Sequence, residues 1–261
     1  MKRKSQIEIS NSELAAEVKL LDEMHRDVSY PAMLESVEAW KEEIVEESSQ
    51  MGMFKRSLGR RRFLIGAGTS LAGGALLAAC GSSSSSSATT AAPATTAAPL
   101  NQNLKTAMVA ASLENLGIYA YNAGITAATA GKLGTVPPAV VTFAQTAMAQ
   151  HKDHAAAWNA ILTSSGQKAV TTTDATLTPT VNALFGKVTD VTGLAQLALQ
   201  IEEIAAATYL ASISTLTIPK AIATAATIHP VEMQHAAILN YVLGQYPVPV
   251  AFATTTLAAK G

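Results

Sequence analysis

Four long runs of this chain carry an apolar helical stripe broken near its middle by glutamate or histidine and nowhere else by a charged residue, an arrangement that leaves few ways to fold. Asn101 to Ala130 contains no proline and ends before Gly131, and Pro137-Pro138 starts a second run that reaches about Leu162. Asp190 caps a third run ending near Leu216, and Pro219 opens a fourth that ends before Gly244. A Thr-rich connection with a short helix predicted over Asp174 to Val188 separates the second run from the third. Strand signals are confined to the short tail Pro247 to Phe252, so the expected fold class is all-α: two helical hairpins joined by a crossover into a four-helix bundle.

Alternating steps of four and three along each run give its seam. The first offers Leu104, Ala107, Ala111, Glu114, Ile118, Tyr121, Ile125 and Ala128; the second offers Val140, Ala144, Ala147, His151, His154, Trp158 and Ile161. The third offers Val191, Ala195, Ala198, Glu202, Ala205, Tyr209, Ser212 and Leu216, and the fourth Ala221, Ala225, Ile228, Glu232, His235, Leu239 and Val242. Alanine on every side of these helices fixes the phase of each stripe only loosely, and Glu203 competes with Glu202 for its place. A carboxylate buried without a partner is costly, so ionisable groups at the waist of four helices require neutralisation. A metal ion does this most directly; polar residues hydrogen-bonded to one another without metal are the other way.

Charge divides the chain into three regions. Met1 to Gln50 holds twelve acids and six bases, Met51 to Ala79 five bases and no acids, and the part from Cys80 onward seven of each. The net charge of −1 gives no electrostatic footprint for nucleic acid. Cys80 is the single cysteine, so no disulfide forms within the chain, and stability rests on packing in one core of ordinary size.

Lys55 to Cys80 reads as a basic region, an apolar region and a small-residue cleavage site, in that order. Arg60-Arg61-Arg62-Phe63-Leu64 resembles the twin-arginine export motif, and Leu77-Ala78-Ala79-Cys80 resembles the bacterial lipobox, whose cysteine is acylated and becomes the mature N-terminus. The resemblance implies the export machinery and the membrane, through a lipid anchor, as partners. It places the protein on the outer face of the cytoplasmic membrane or elsewhere in the cell envelope. The competing reading is a retained membrane helix over Phe63 to Ala79, weakened by Gly66, Gly68, Gly73 and Gly74. On the export reading residues 53–79 are the signal peptide, and 80–100, rich in Ser, Thr, Ala and Pro, a flexible tether. Residues 1–52 are then an extension, acidic and weakly helical over Ser12 to Met24 and Tyr30 to Ser48. Either translation starts at Met51 or Met53, or the extension is removed with the signal; on both readings it stands outside the functional fold.

Residues 101–261 are expected to form the bundle domain, and within it about Leu104 to Gly244 resembles the ferritin-like di-iron carboxylate family, in particular its exported branch that includes desiccation-related proteins. That family takes a Glu from each of two helices and a Glu-x-x-His pair from each of the other two. Glu232-Met233-Gln234-His235 matches the pair, and Glu114 and Glu202 match the single glutamates, each followed seven residues later by a tyrosine, Tyr121 and Tyr209. The second helix departs from the pattern, because His151-Lys152-Asp153-His154 puts histidine where the family has a bridging glutamate. The resemblance thus implies a ligand set of Glu114, His151, His154, Glu202, Glu232 and His235, with three carboxylates instead of four. Iron, paired or single, is the expected cofactor, and the altered set gives weight to manganese or zinc. Tyr121 and Tyr209 are expected to donate to ligand carboxylates, Trp158 and Met233 to pack, His229 to accompany the helix irregularity at Pro230, and Lys152 and Asp153 to face solvent.

The family implies reaction with dioxygen or peroxide, hence iron oxidation or protection from oxidants. The competing function is a metal-free structural or stress-protective surface lipoprotein built on the same bundle. The missing alternation of strand and helix argues against a solute-binding lipoprotein, and a lipid tether and a neutral surface argue against a soluble storage cage. A homodimer remains an open expectation.

Overall fold

A computed structural model of the chain describes residues 10–46 and 101–259. The export motif with Arg60 and Arg61, the signal region 53–79, Cys80 and the tether 80–100 lie outside the described residues. The bundle consists of α3 (Gln102–Thr129), α4 (Pro138–Ser164), α6 (Val191–Ile213) and α7 (Pro219–Val242), with the short α5 (Thr178–Phe185) in the crossover. It is preceded by α1 (Asn11–Met24), a π-helical turn (His25–Ser29) and α2 (residues 30–46), which continue one another. No strand occurs among the described residues, and none of their helices is long and apolar enough to cross a membrane.

Local chemistry sets the ends of the four long helices. The side chain of Asn101 accepts from the backbone N–H of Leu104 at 2.9 Å, and that of Asp190 from Gly193 at 2.7 Å. Pro138 and Pro219 occupy first-turn positions, where their missing N–H is no loss. α3 and α7 each stop before a glycine in the left-handed region, Gly131 at φ 70° and Gly244 at φ 70°. These ends fall within a few residues of those predicted. The tail Pro247 to Phe252 forms bends rather than a strand, because Pro247 and Pro249 remove the donors that a ladder needs.

α3 packs on α4, α6 on α7, and α3 on α6, giving the two hairpins and the crossover. Fully buried alanines, Ala107, Ala111, Ala147, Ala221 and Ala225, line the contacts, so the helices approach closely at mid-length. The crossover is pinned by Asn159, whose side chain exchanges hydrogen bonds with the backbone of Val170 at 2.7 and 3.0 Å, and by Asn115, which donates to the same carbonyl at 2.9 Å. α5 buries Val181 in a small cluster with Leu116, Leu197 and Ile201.

The expectation that residues 1–52 stand apart from the functional fold does not hold for their described part. Residues 10–44 and 101–259 belong to one compact unit. α1, whose Ser10 and Glu13 form a capping box, packs on α4 and α7. It buries Leu14, Val18 and Leu21, while α2 buries Met33, Val37 and Trp40 in the cluster that holds Trp158 and Ile228. These residues recur at steps of three and four within an acidic sequence, and their partners lie more than a hundred residues further on, so the local sequence alone shows only weak amphipathicity.

Candidate metal centre

Each long helix brings its mid-length polar residue to one point. Glu114 from α3, His151 and His154 from α4, Glu202 from α6, and Glu232 and His235 from α7 are all at most 1% exposed. Their donor atoms form two overlapping groups, within each of which all ligand atoms lie within 4.8 Å of one another. One group is Glu114, His151, His154 and Glu232; the other is His151, Glu202, Glu232 and His235. The structure therefore brings together all six residues singled out in the sequence. Glu203 is outside both groups and only half-buried, which resolves the competition in favour of Glu202.

His151 sits between the two halves. Its Nδ1 lies 2.7 Å from Glu114 Oε2 and its Nε2 3.3 Å from Glu202 Oε1. His154 Nδ1 lies 2.9 Å from Glu232 Oε1, and His235 Nδ1 lies 3.3 Å from Glu202 Oε2 and 3.4 Å from Glu232 Oε2. Glu232 is fully buried, yet neither of its carboxylate oxygens has a hydrogen-bond partner, and neither has His154 Nδ1. The close approach of those two residues is thus out of line for a hydrogen bond: their atoms converge on a shared space without bonding each other. Buried carboxylate oxygens that face imidazole nitrogens without hydrogen-bonding them are the donor set a hard or borderline cation takes, so the centre is compatible with metal binding.

A surrounding layer orients these groups. Tyr121 donates to Glu202 and Tyr209 to Glu114, each hydroxyl crossing to the other hairpin. Trp158 is more than packing, since its Nε1 donates to Tyr209 Oη at 2.7 Å. His235 Nε2 donates to Gln150 Oε1 at 2.7 Å, which leaves Nδ1 as the nitrogen facing the centre. Gly117, one turn beyond Glu114, lies under the His151 ring; a Cβ there would meet three ring atoms at 2.9 Å. The sequence reading missed Gln150 and Gly117. A glycine inside a long alanine-rich helix is the one signal that pointed to the second.

Burial by itself would raise Glu114, but His154 and His151 beside it hold its carboxyl down at about 2. Burial would likewise lower His154, and Glu114 and Glu232 override it, holding the imidazole up at about 9. His151 and His235 are raised in the same way by the surrounding glutamates against the effect of burial, and Glu202 is lowered by His235 and His151 against it. Burial, then the adjacent carboxylates, keep both tyrosines protonated as donors.

Outside the centre, His229 Nδ1 donates to the carbonyl of Ala206 at 3.0 Å, tying α7 to α6 beside Pro230. Asp153 does not simply face solvent: its carboxylate, 40% exposed, meets Nε2 of His25 from the π-helical turn at 3.3 Å. The His25 ring is buried and stands edge-on to His154, with centroids 5.5 Å apart.

A family model described as a ferritin-like domain matches residues 102–245, more than half of the chain. No curated protein and no solved structure matches it significantly.

Proposed function

Because the chain belongs to the ferritin-like domain family, we propose that it is a cell-envelope metalloprotein holding one or two cations, iron favoured, through Glu114, His151, His154, Glu202, Glu232 and His235. The observation that carries this reading is the convergence of six buried donors from four helices, with the fully buried Glu232 turning its two oxygens to His154 at 2.9 Å and His235 at 3.4 Å outside hydrogen-bond geometry. Glu114 keeps Oε1 on Tyr209 and turns Oε2 to His151, Glu202 accepts from Tyr121 at Oε1, which also faces His151, and turns Oε2 to His235, and Gln150 fixes the His235 ring. Bound iron would supply reaction with dioxygen or peroxide, which suits iron oxidation or protection from oxidants. Manganese or zinc fits the same donors. Three carboxylates and three neutral imidazoles carry three negative charges, enough for one divalent ion and nearly balanced by two.

On this proposal the twin-arginine motif with Arg60 and Arg61 delivers the folded domain, and acylated Cys80 anchors it to the membrane. The supporting observation is the order of basic, apolar and small-residue segments in the sequence.

A second reading has one observation in its favour. With His151, His154 and His235 held up by the glutamates, three imidazoliums balance three carboxylates without any metal, as a structural or stress-protective lipoprotein would require. Elemental analysis of protein purified from its native membrane separates the two. The metal reading expects about one or two equivalents of a transition metal, and their loss in the Glu232→Ala, His235→Ala double variant. Metal-free wild-type protein that cannot be loaded with iron(II), manganese(II) or zinc(II) would sink it.

A further inference from the structure

The N-terminal helices meet the bundle at its waist. His25 is 5% exposed, its Nδ1 is buried without a hydrogen-bond partner, and its ring stands on His154, which faces Glu232 and Glu114. What puts it there is the π-helical turn His25–Ser29, a local widening that the flanking α-helices lack. On one side of this turn α1 buries Leu14, Val18 and Leu21; on the other, Ser36 Oγ bonds Thr224 Oγ1 at 3.0 Å and Trp40 stands edge-on to Trp158 at 6.3 Å. A buried imidazole nitrogen left without a partner is costly, and such groups persist where a site requires them. Its covalent connection to the bundle runs through residues 47–100, the stretch that carries the resemblance to an export signal.

We infer that residues 11–44 are a cover that the chain carries for its own metal centre, an amphipathic helical segment seated on α4 and α7 with His25 as its latch on His154. This rests on the metal and export readings above: processing ahead of Cys80 would cut the cover from the bundle and leave it held by non-covalent contacts alone. While seated, the cover closes the His154 side of the centre to water and to ions. Once it departs, the edge of His154 and the face of Trp158 become open.

The test uses the full chain with a specific protease site placed within residues 47–52, before and after cutting, and the uncut His25→Ala variant. The chain has two tryptophans, Trp40 on the cover and Trp158 beneath it, so departure of the cover reads directly as a red shift of emission. Cobalt(II) uptake, followed by its visible absorbance, reads access to the centre. Cutting followed by gel filtration should shift the emission and speed cobalt uptake about tenfold or more, and adding the segment back should reverse both. His25→Ala should speed uptake in the intact chain without changing the amount of cobalt bound. Equal rates in all forms, or a bundle that aggregates once cut, would overturn the cover. Absence of cobalt from every form would overturn the metal reading, and the cover with it.

Discussion

Tyr121 on α3 donates its hydroxyl to Glu202 on α6, and the relation is returned by Tyr209 on α6, which donates to Glu114 on α3. The two hairpins are thereby cross-braced through the groups that meet at the centre, with Trp158 extending one brace into the core. Either Tyr121→Phe or Tyr209→Phe removes a donor from a buried carboxylate, at an expected cost of about 1.5–3 kcal/mol in urea unfolding of the metal-free protein. A loss of less than about 0.5 kcal/mol would mean that the braces are incidental.

Gly117→Ala should destabilise the protein although alanine is the better helix former. The ordinary gain of about 1 kcal/mol is outweighed because the new Cβ would press on the His151 ring at 2.9 Å, and that ring is packed and buried. Gly124→Ala is the internal comparison, since its Cβ would meet the end of the flexible Leu194 side chain at 3.1 Å. Thermal melts of both variants should place Gly117→Ala well below Gly124→Ala, with weakened metal retention only in the former.

The metal-free bundle should be most stable in mildly acid solution. Glu114 is held at about 2 against an ordinary 4.5, so its contribution is present above 4.5 and lost as pH falls through 2. His154 is held at about 9 against an ordinary 6.5, so its contribution is complete below 6.5 and lost as pH rises through 9. Denaturant midpoints measured from pH 2 to 10 should therefore peak between about 4.5 and 6.5. A protonated His154 cannot bind a cation, so loading at neutral pH should release protons, seen as a dependence of the binding enthalpy on buffer ionisation.

Gln150→Leu should loosen the centre without greatly weakening the fold. It removes the acceptor that sets His235 with Nδ1 inward, and the expected fall in metal affinity is about 10–100-fold. Gln150→Glu retains an acceptor and should recover most of that loss. Competition titrations against a chromophoric chelator give both values; equal affinity in all three proteins would remove Gln150 from any role at the centre.

The six converging residues were legible because each breaks an apolar stripe at the same height of its helix, and burial makes such a break conspicuous. The tyrosines were legible as well, since a seven-residue step keeps them on the glutamate face. Gln150 was not, because a neutral amide beside His151 has no charge to mark it and its partner His235 lies in another helix. His25 and the seat of α1 and α2 were hidden for a related reason: their apolar residues are few, the acidic surroundings suggest a solvated segment, and only the assembled surface of α4 and α7 gives them a partner. The resemblance of Lys55 to Cys80 to an export signal added to the expectation that what precedes it stands outside the functional fold.

His151 belongs to both donor groups, one ring nitrogen turned to each. A carboxylate in that position could serve two ions at once, whereas a neutral imidazole has a single lone pair to give. Whichever half claims it leaves the other short of a donor, so filling should proceed in two unequal steps, the first ion raising the cost of the second. Such a protein would ordinarily hold a lone ion and accept another only when the supply is high.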